Sequence, residues 1–268
     1  MQVQDCPWEI ENIGKRTVQL NYTKDDIYNS EEVCKAVKGY QYFVAKVPAG
    51  NISCLLGLQN DGFKMIETQL TIYKDKESFC KDIEAFKTIT DKTSFQEVKN
   101  DGDFNLLVDS VDDGMFSTDR VSLDPSFGLS VGRHRYVGWM KNEYKAGTSS
   151  FWWITIDNEK VGFMMLKEKD NKVDLLLNGL FTPFQGKGFG IITPASPLLL
   201  TMRQNNEISE ETTNISSNNV RVVHLYNKLN FKLLDMTYVL VASTPPRNES
   251  LVGLTIACNS LIINSIAA

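Results

Sequence analysis

Gln185-Gly186-Lys187-Gly188-Phe189-Gly190 follows an apolar, strand-like run from Val173 to Phe181. Further along stands Asn218-Asn219-Val220-Arg221-Val222-Val223-His224-Leu225-Tyr226-Asn227-Lys228-Leu229-Asn230-Phe231. The glycines let the backbone approach a ligand and turn its N–H groups outward. A helix beginning there would add its dipole and its unsatisfied N–H groups, which together form an anion site. The second stretch reads as a short amphipathic helix ending near Asn230-Phe231, followed by a strand from Lys232 to Val241. It carries a phenol, Tyr226, that can give up a proton.

Two other glycine motifs fail. A P-loop needs Gly-x-x-x-x-Gly-Lys-Ser/Thr, which is absent. A dinucleotide fingerprint needs Gly-x-Gly-x-x-Gly, and Ile191 stands where the last glycine should fall. Alone, the glycines read as a flexible turn. Their pairing with the second stretch changes that reading.

The pair resembles the GNAT superfamily of acetyl-CoA-dependent N-acyltransferases. Gln185, Gly188 and Gly190 occupy the places of that family's Gln/Arg-x-x-Gly-x-Gly/Ala motif. Asn219, Leu225, Tyr226 and Phe231 match its Asn-x-x-Ala-x-x-Leu-Tyr-x-x-x-Gly-Phe signature. Val222 replaces the alanine there, and Asn230 replaces the glycine. Asn tolerates the left-handed conformation that a helix end often needs. The resemblance covers roughly residues 100–242. It implies a GNAT acyl-CoA N-acyltransferase fold, an α/β (α+β) architecture with a mixed central sheet flanked by helices. It also implies that Gly186, Lys187, Gly188, Phe189 and Gly190 bind the CoA pyrophosphate, that Asn219 contacts the cofactor, and that Tyr226 protonates the departing thiolate.

A softer likeness spans nearly the whole chain. Pro7-Trp8-Glu9-Ile10-Glu11-Asn12-Ile13-Gly14-Lys15-Arg16, Tyr42 to Ala49, Gly62-Phe63, Phe116 to Arg120 and Leu123-Asp124-Pro125 resemble the bacterial nucleotide-sugar N-acetyltransferases. The type is that of dTDP-fucosamine (dTDP-4-amino-4,6-dideoxygalactose) acetyltransferase. The implied acceptor is an amino group on a nucleotide-linked sugar. Two alternatives stay open: another amine, such as an antibiotic or a protein N-terminus, and a non-catalytic acyl-CoA-binding module.

Composition fits a globular enzyme: 268 residues, 42% hydrophobic and 23% charged. The net charge of −5 argues against a nucleic-acid partner. The five cysteines are irregularly spaced and form no Cys-x-x-Cys, so zinc is not expected and a reducing, cytoplasmic compartment is. The polar N-terminus lacks the apolar core of a signal peptide. Leu251 to Ala268 is uncharged and apolar, and reads as an extra packed or disordered segment rather than a tail anchor. The expected partners are acetyl-CoA and a small amine, with no membrane span; a homodimer remains open.

Along the chain, Tyr40 to Val47 and Lys64 to Tyr73 read as strands flanking a helix that stops at Gly62. This block recurs. Asn51 precedes Phe63 as Asn219 precedes Phe231, and Lys64-Met65-Ile66-Glu67 parallels Lys232-Leu233-Leu234-Asp235. Leu58 stands where Tyr226 stands. The chain therefore reads as a degenerate, structural GNAT-like half-domain (1–85), a catalytic domain (100–242) and a tail (243–268), with the connection in the charged run 74–103. Chance similarity of two helix–Phe–strand units is the other reading. Helices are expected over 103–114 and 133–145. A hairpin is expected at Asp157-Asn158, joining strands 151–156 and 161–166, and a further turn at Asp170-Asn171. Pro194 and Pro197 should break the helix after the glycine loop, with Ser196 capping a fresh one.

Acyl transfer to an amine needs an acid for the thiolate and a polarised carbonyl. Tyr226 suits the first task; backbone N–H groups near Leu180 and Phe181 suit the second. His224 reads as a surface residue. Arg120, Arg133, Arg135 and Lys141 with Tyr136 and Trp139 read equally as a site for a nucleotide-sugar diphosphate and base or as a solvated helix face. Phe151-Trp152-Trp153 reads as core.

Overall fold

The computed structural model describes residues 1–245, so the expectation for the tail at 251–268 lies outside the described residues. The strands are β1 Gln2–Cys6, β2 Thr17–Asn21, β3 Tyr42–Pro48, β4 Lys64–Asp75, β5 Thr93–Glu97, β6 Ser150–Ile156, β7 Glu159–Lys169, β8 Lys172–Leu180, β9 Glu210–Ser216 and β10 Lys232–Ala242. The helices are α1 Trp8–Ile13, α2 Ser30–Ala36, α3 Ile52–Asn60, α4 Lys76–Asp82, α5 Lys87–Thr90, α6 Asp101–Asp109, α7 Arg120–Leu123, α8 Leu129–Ala146, α9 Ile192–Gln204 and α10 Val220–Lys228. They fall into two compact units. One holds Met1–Ile10, Gly14–Ile66 and the described residues from Tyr238 on; the other holds Glu11–Ile13 and Glu67–Thr237.

In the first unit, β2 pairs antiparallel with β1 and parallel with β3, and β10 follows β3 in the sheet. Its core gathers Val18, Leu20, Phe43, Val47, Leu58, Phe63 and Leu240. Asn51 caps α3: its side chain accepts the Cys54 N–H and donates to the carbonyls of Thr23 and Asp26, which ties that loop to the helix start. The two sequence blocks share local features. α3 and α10 are each nine residues long and each is capped by its asparagine. Gly62 and Asn230 both take positive φ, 89° and 53°.

In the second unit the order is β4-β9-β8-β7-β6-β5. Two-residue loops, Asp157-Asn158 and Asp170-Asn171, join β6 to β7 and β7 to β8, and all four residues have positive φ. That is the primed-turn geometry short Asx-rich hairpins favour. The charged run 74–103, expected to be a connection, lies within this unit. There Lys74 is buried and pairs with Asp82, so its charge is used in packing. The helix expected over 103–114 is displaced to Asp101–Asp109, where the Asn100 side chain accepts the Asp103 N–H as cap.

Two irregularities shape the middle of this sheet. Met165 pairs with Leu177 and Leu166 with Leu175, so Leu176 is an extra residue bulged from β8. The parallel pairing of β8 with β9 ends at Leu175 and Thr213. Beyond that point β8 stays with β7, as far as Leu180 opposite Gly162, and β9 stays with β4, as far as Ser216 opposite Gln69. The two central strands therefore part.

The expected helix break is not there. α9 runs through Pro197, and Ser196, rather than capping a new helix, donates its hydroxyl to the Ile192 carbonyl within it. Pro194 lies in the first turn, where backbone N–H groups lack helical partners anyway. Each proline leaves the carbonyl four residues back without its donor, and each carbonyl finds a side chain. The Thr193 hydroxyl bonds the Gly190 oxygen at 2.8 Å, and the Asn178 amide bonds the Thr193 oxygen at 2.8 Å. Asn178→Leu should therefore cost about 1–3 kcal/mol, the penalty of a stranded buried acceptor. Adding Pro197→Ala, which restores a backbone donor, should recover part of it. Urea unfolding of both single variants and the double variant measures the coupling; strict additivity would refute this account.

Candidate active-site cleft

The parted strands open a cleft of about 740 Å³ in the second unit. Its walls include β8 from Leu175 to Leu180, β9 from Thr213 to Ser216, the glycine loop and the start of α10.

The loop between β8 and α9 is built by its glycines. Gly186 and Gly188 have φ of 74° and 89°, which favours residues without a side chain. A Cβ added at either would meet nothing within 4 Å, so both face open space. Gly190 is small for another reason: a Cβ there would lie 3.2 Å from Leu225 on α10. One glycine thus docks the loop on the second motif. Gln185 donates its amide to the Leu180 carbonyl at 3.0 Å and closes the loop's base. The Lys187 ammonium lies over the Phe184 ring, 5.4 Å from its centroid, and Phe189 starts the short helical turn that runs into α9. Asn219 caps α10 by accepting the Val222 N–H at 3.3 Å. Its oxygen serves the helix while the residue lines the cleft.

Tyr226 lines the cleft at only 3% exposure, and its ring stands edge-on to Phe231 at 4.8 Å. Burial raises its pKa far above the ordinary phenol value. Glu211 adds to that and the Thr213 hydroxyl opposes it. The Thr213 hydroxyl itself donates to the Leu175 carbonyl at 2.8 Å, at the point where the strands part. His224 is exposed, as expected.

Of the backbone expected to polarise a carbonyl, Phe181 faces β7, while Leu180 belongs to the stretch of β8 that β9 leaves unpaired. Phe181 donates its N–H to the Val161 carbonyl at 2.9 Å, continuing the pairing with β7, and Leu180 accepts from Gln185. The β8 edge without a partner in β9 begins at the Leu176 bulge and runs to Leu180.

The three arginines do not gather at the cleft. The Arg133 Nε donates to the Val111 carbonyl at 2.5 Å, and Arg135 pairs with Asp119 at 3.3 Å. Arg120 is 7% exposed. None of the three lines the cleft, whereas Tyr136 does.

Residues not singled out from the sequence also line it: Glu67 and Gln69 from β4, and Asn178 and Thr213. Beside them Glu211 is buried at 0% exposure on β9. Among the described residues, no group of three or more His, Cys, Asp or Glu is arranged to hold a metal ion, and no helix is long and apolar enough to cross a membrane.

No protein-family profile and no curated protein sequence matches the chain. Solved structures match its fold. A functionally unknown conserved protein from Staphylococcus epidermidis ATCC 12228 aligns over 85% of this chain and 85% of its own, at 12% identity and a TM-score of 0.57. A GCN5-related N-acetyltransferase from Kribbella flavida aligns over 85% and 82%, at 9% identity and 0.50. Another, from Sphaerobacter thermophilus, aligns over 76% of this chain and 60% of its own, at 10% identity and 0.50. The architecture is thus a GNAT-like fold, a mixed sheet flanked by helices.

Burial holds the Glu211 carboxyl well above its ordinary pKa, opposed by the Leu198 backbone. The folded state keeps it neutral while the unfolded chain ionises it. Its drag on stability is therefore absent below the ordinary carboxylate range and grows as pH rises above it, by about 1.4 kcal/mol per pH unit, until the folded pKa is reached. Glu211→Gln should match the wild type at pH 4 and exceed it at pH 8, as read by denaturant midpoints. An equal difference at both pH values would count against a neutral buried acid.

Proposed function

We propose that the protein is an acyl-CoA-dependent N-acyltransferase acting on a small amine. The observation that carries this reading is the coincidence, in one cleft, of the parted strands, a glycine loop that is open at Gly186 and leads into a helix, and a buried phenol.

The residues fit the cofactor. Gly186 and Gly188 leave room for the pyrophosphate, and the starts of α9 and α10 supply N–H groups and positive dipole ends. The unpaired edge of β8 beyond Leu175 can take up an extended pantetheine arm as a further strand would, amide to amide. Bound there, acetyl-CoA would supply an activated thioester carbonyl and a thiolate leaving group. Backbone N–H groups at the bulge suit the developing oxyanion. Tyr226 stays protonated over the working pH range because burial favours the neutral phenol. It can hydrogen-bond the thiolate as it forms and protonate it in the same desolvated space, where the thiolate's own basicity is also raised.

The finer reading from the sequence is an acceptor amine carried on a nucleotide-linked sugar. Its support lies in the N-terminal segments; the arginines that would have held a diphosphate are engaged elsewhere.

Tyr226→Phe should lower kcat by roughly a hundredfold to ten-thousandfold, the usual loss on removing a general acid. The Kd for acetyl-CoA should be unchanged. Steady-state kinetics with a panel of amines and calorimetry with acetyl-CoA test both halves. Acetyl-CoA binding without turnover of any amine would favour the non-catalytic module.

A further inference from the structure

The cleft is lined from two separate cores. Tyr226 belongs to the core packed by α9 and α10, whereas Met115, Phe116 and Tyr136 pack against the core of α6 and α8. Successive residues of a strand point to opposite faces, and β8 serves both cores in this way. Asn178 reaches α9, and Gly179, the next residue, faces Met115. The α9 side carries the glycine loop and the phenol. The α8 side has no role so far.

At Gly179 the strand gives this wall no side chain. A Cβ added there would lie 2.9 Å from the Met115 Cε and 3.9 Å from atoms of the Phe116 and Phe163 rings. The tip of Met115 therefore stands where a β8 side chain would. The loop that carries it is tied down. The Thr182 hydroxyl, just past β8, donates to the Asp112 carboxylate, which also accepts the Gly114 N–H at 3.0 Å. The Ser122 hydroxyl donates to the Phe116 carbonyl at 2.7 Å. The Phe116 ring is wedged 4.4 Å from that of Tyr136 and edge-on to Phe163 at 6.3 Å. Met115, unbranched and adaptable, is the part of this wall that a single substitution changes most simply.

A thioester carbon is planar, and its sulfur, oxygen and acyl chain leave it in three directions. In the acyltransferase reading the sulfur lies toward Tyr226 and the oxygen toward the N–H groups at the Leu176 bulge. The acyl chain then points to the remaining side, at the apolar wall of Met115 and Phe116. A methyl group can rest against that wall. Each further methylene has to displace the Met115 tip, and forcing extra atoms into packed surroundings is costly.

We propose that Met115, seated on Gly179, limits the length of the acyl group, so that the cleft takes short acyl-CoA thioesters and rejects long ones. This deepens, and rests on, the acyltransferase reading. The limit is set by a loop side chain and not by the backbone of β8, so it can be moved without disturbing the strand.

The test is calorimetric titration of bare CoA, acetyl-CoA, butanoyl-CoA and octanoyl-CoA into the protein with no amine present. Octanoyl-CoA should bind the wild type more weakly than acetyl-CoA by roughly tenfold to a hundredfold, the cost of overfilling a packed wall. Met115→Ala should remove most of that gap and leave the affinity for bare CoA unchanged. Met115→Trp should extend the loss to butanoyl-CoA. Octanoyl-CoA binding the wild type as tightly as acetyl-CoA, or an undiminished gap in a folded Met115→Ala variant, would each overturn the proposal. If one variant fails to fold, the other still tests Met115, and the wild-type titrations still test the length limit. Failure of bare CoA to bind the wild type would count against the acyltransferase reading itself, and the proposal would fall with it.

Discussion

Two neighbouring parallel strands that stop pairing halfway along set the terms for the rest of the second unit. After Leu175 and Thr213, β8 and β9 give up their mutual hydrogen bonds, and each keeps only its outer partner. Unmade backbone hydrogen bonds are costly unless water or a ligand satisfies them. A gap between central strands is therefore kept open by what surrounds it. The Leu176 bulge shifts the register of β8 against β7, and Thr213 bridges the last paired position through the Leu175 carbonyl. In the proposed function the open edges are the template for an extended ligand.

The helix that closes the cleft is held by the same economy of hydrogen bonds. α9 is buried from Ile192 to Thr201 and carries two prolines, yet it neither breaks nor strands its carbonyls. Thr193 and Asn178 supply the two missing donors. Asn178 comes from β8 itself, so the strand that lines the cleft also anchors the helix that follows the glycine loop. Gly190 against Leu225 adds the contact to α10, which carries Tyr226. The loop, both helix starts and the phenol are thereby placed by a handful of short-range constraints around one gap.

Local chemistry made much of this legible from the chain. Asp157-Asn158 and Asp170-Asn171 name their turns because Asn and Asp tolerate positive φ. The glycine loop and the Asn219-to-Phe231 segment are legible because each glycine and the capping asparagine answers a backbone need in its own neighbourhood. What stayed hidden is non-local. Leu175-Leu176-Leu177 gives no sign of which leucine bulges, since all three are equally suited to a strand. Pro197 reads as a helix breaker until Asn178, nineteen residues earlier, is seen to replace its donor. Arg133 and Arg135 resemble phosphate ligands by type, but their partners, Val111 and Asp119, are chosen by the packing of α8. Glu67 and Gln69 enter the cleft only because β4 lies beside β9 in the sheet, a pairing of residues far apart in the chain.

The central claim is that the gap between β8 and β9 is an acyl-CoA site. Thermal unfolding of the purified protein with and without acetyl-CoA tests it most directly, since a ligand selective for the native state stabilises it by about 2.7 kcal/mol at one hundred times Kd. The account predicts a rise in Tm with acetyl-CoA that is lost in Gly188→Val, whose side chain would fill the cradle. An unchanged Tm at millimolar acetyl-CoA, or an equal rise in Gly188→Val, would contradict it.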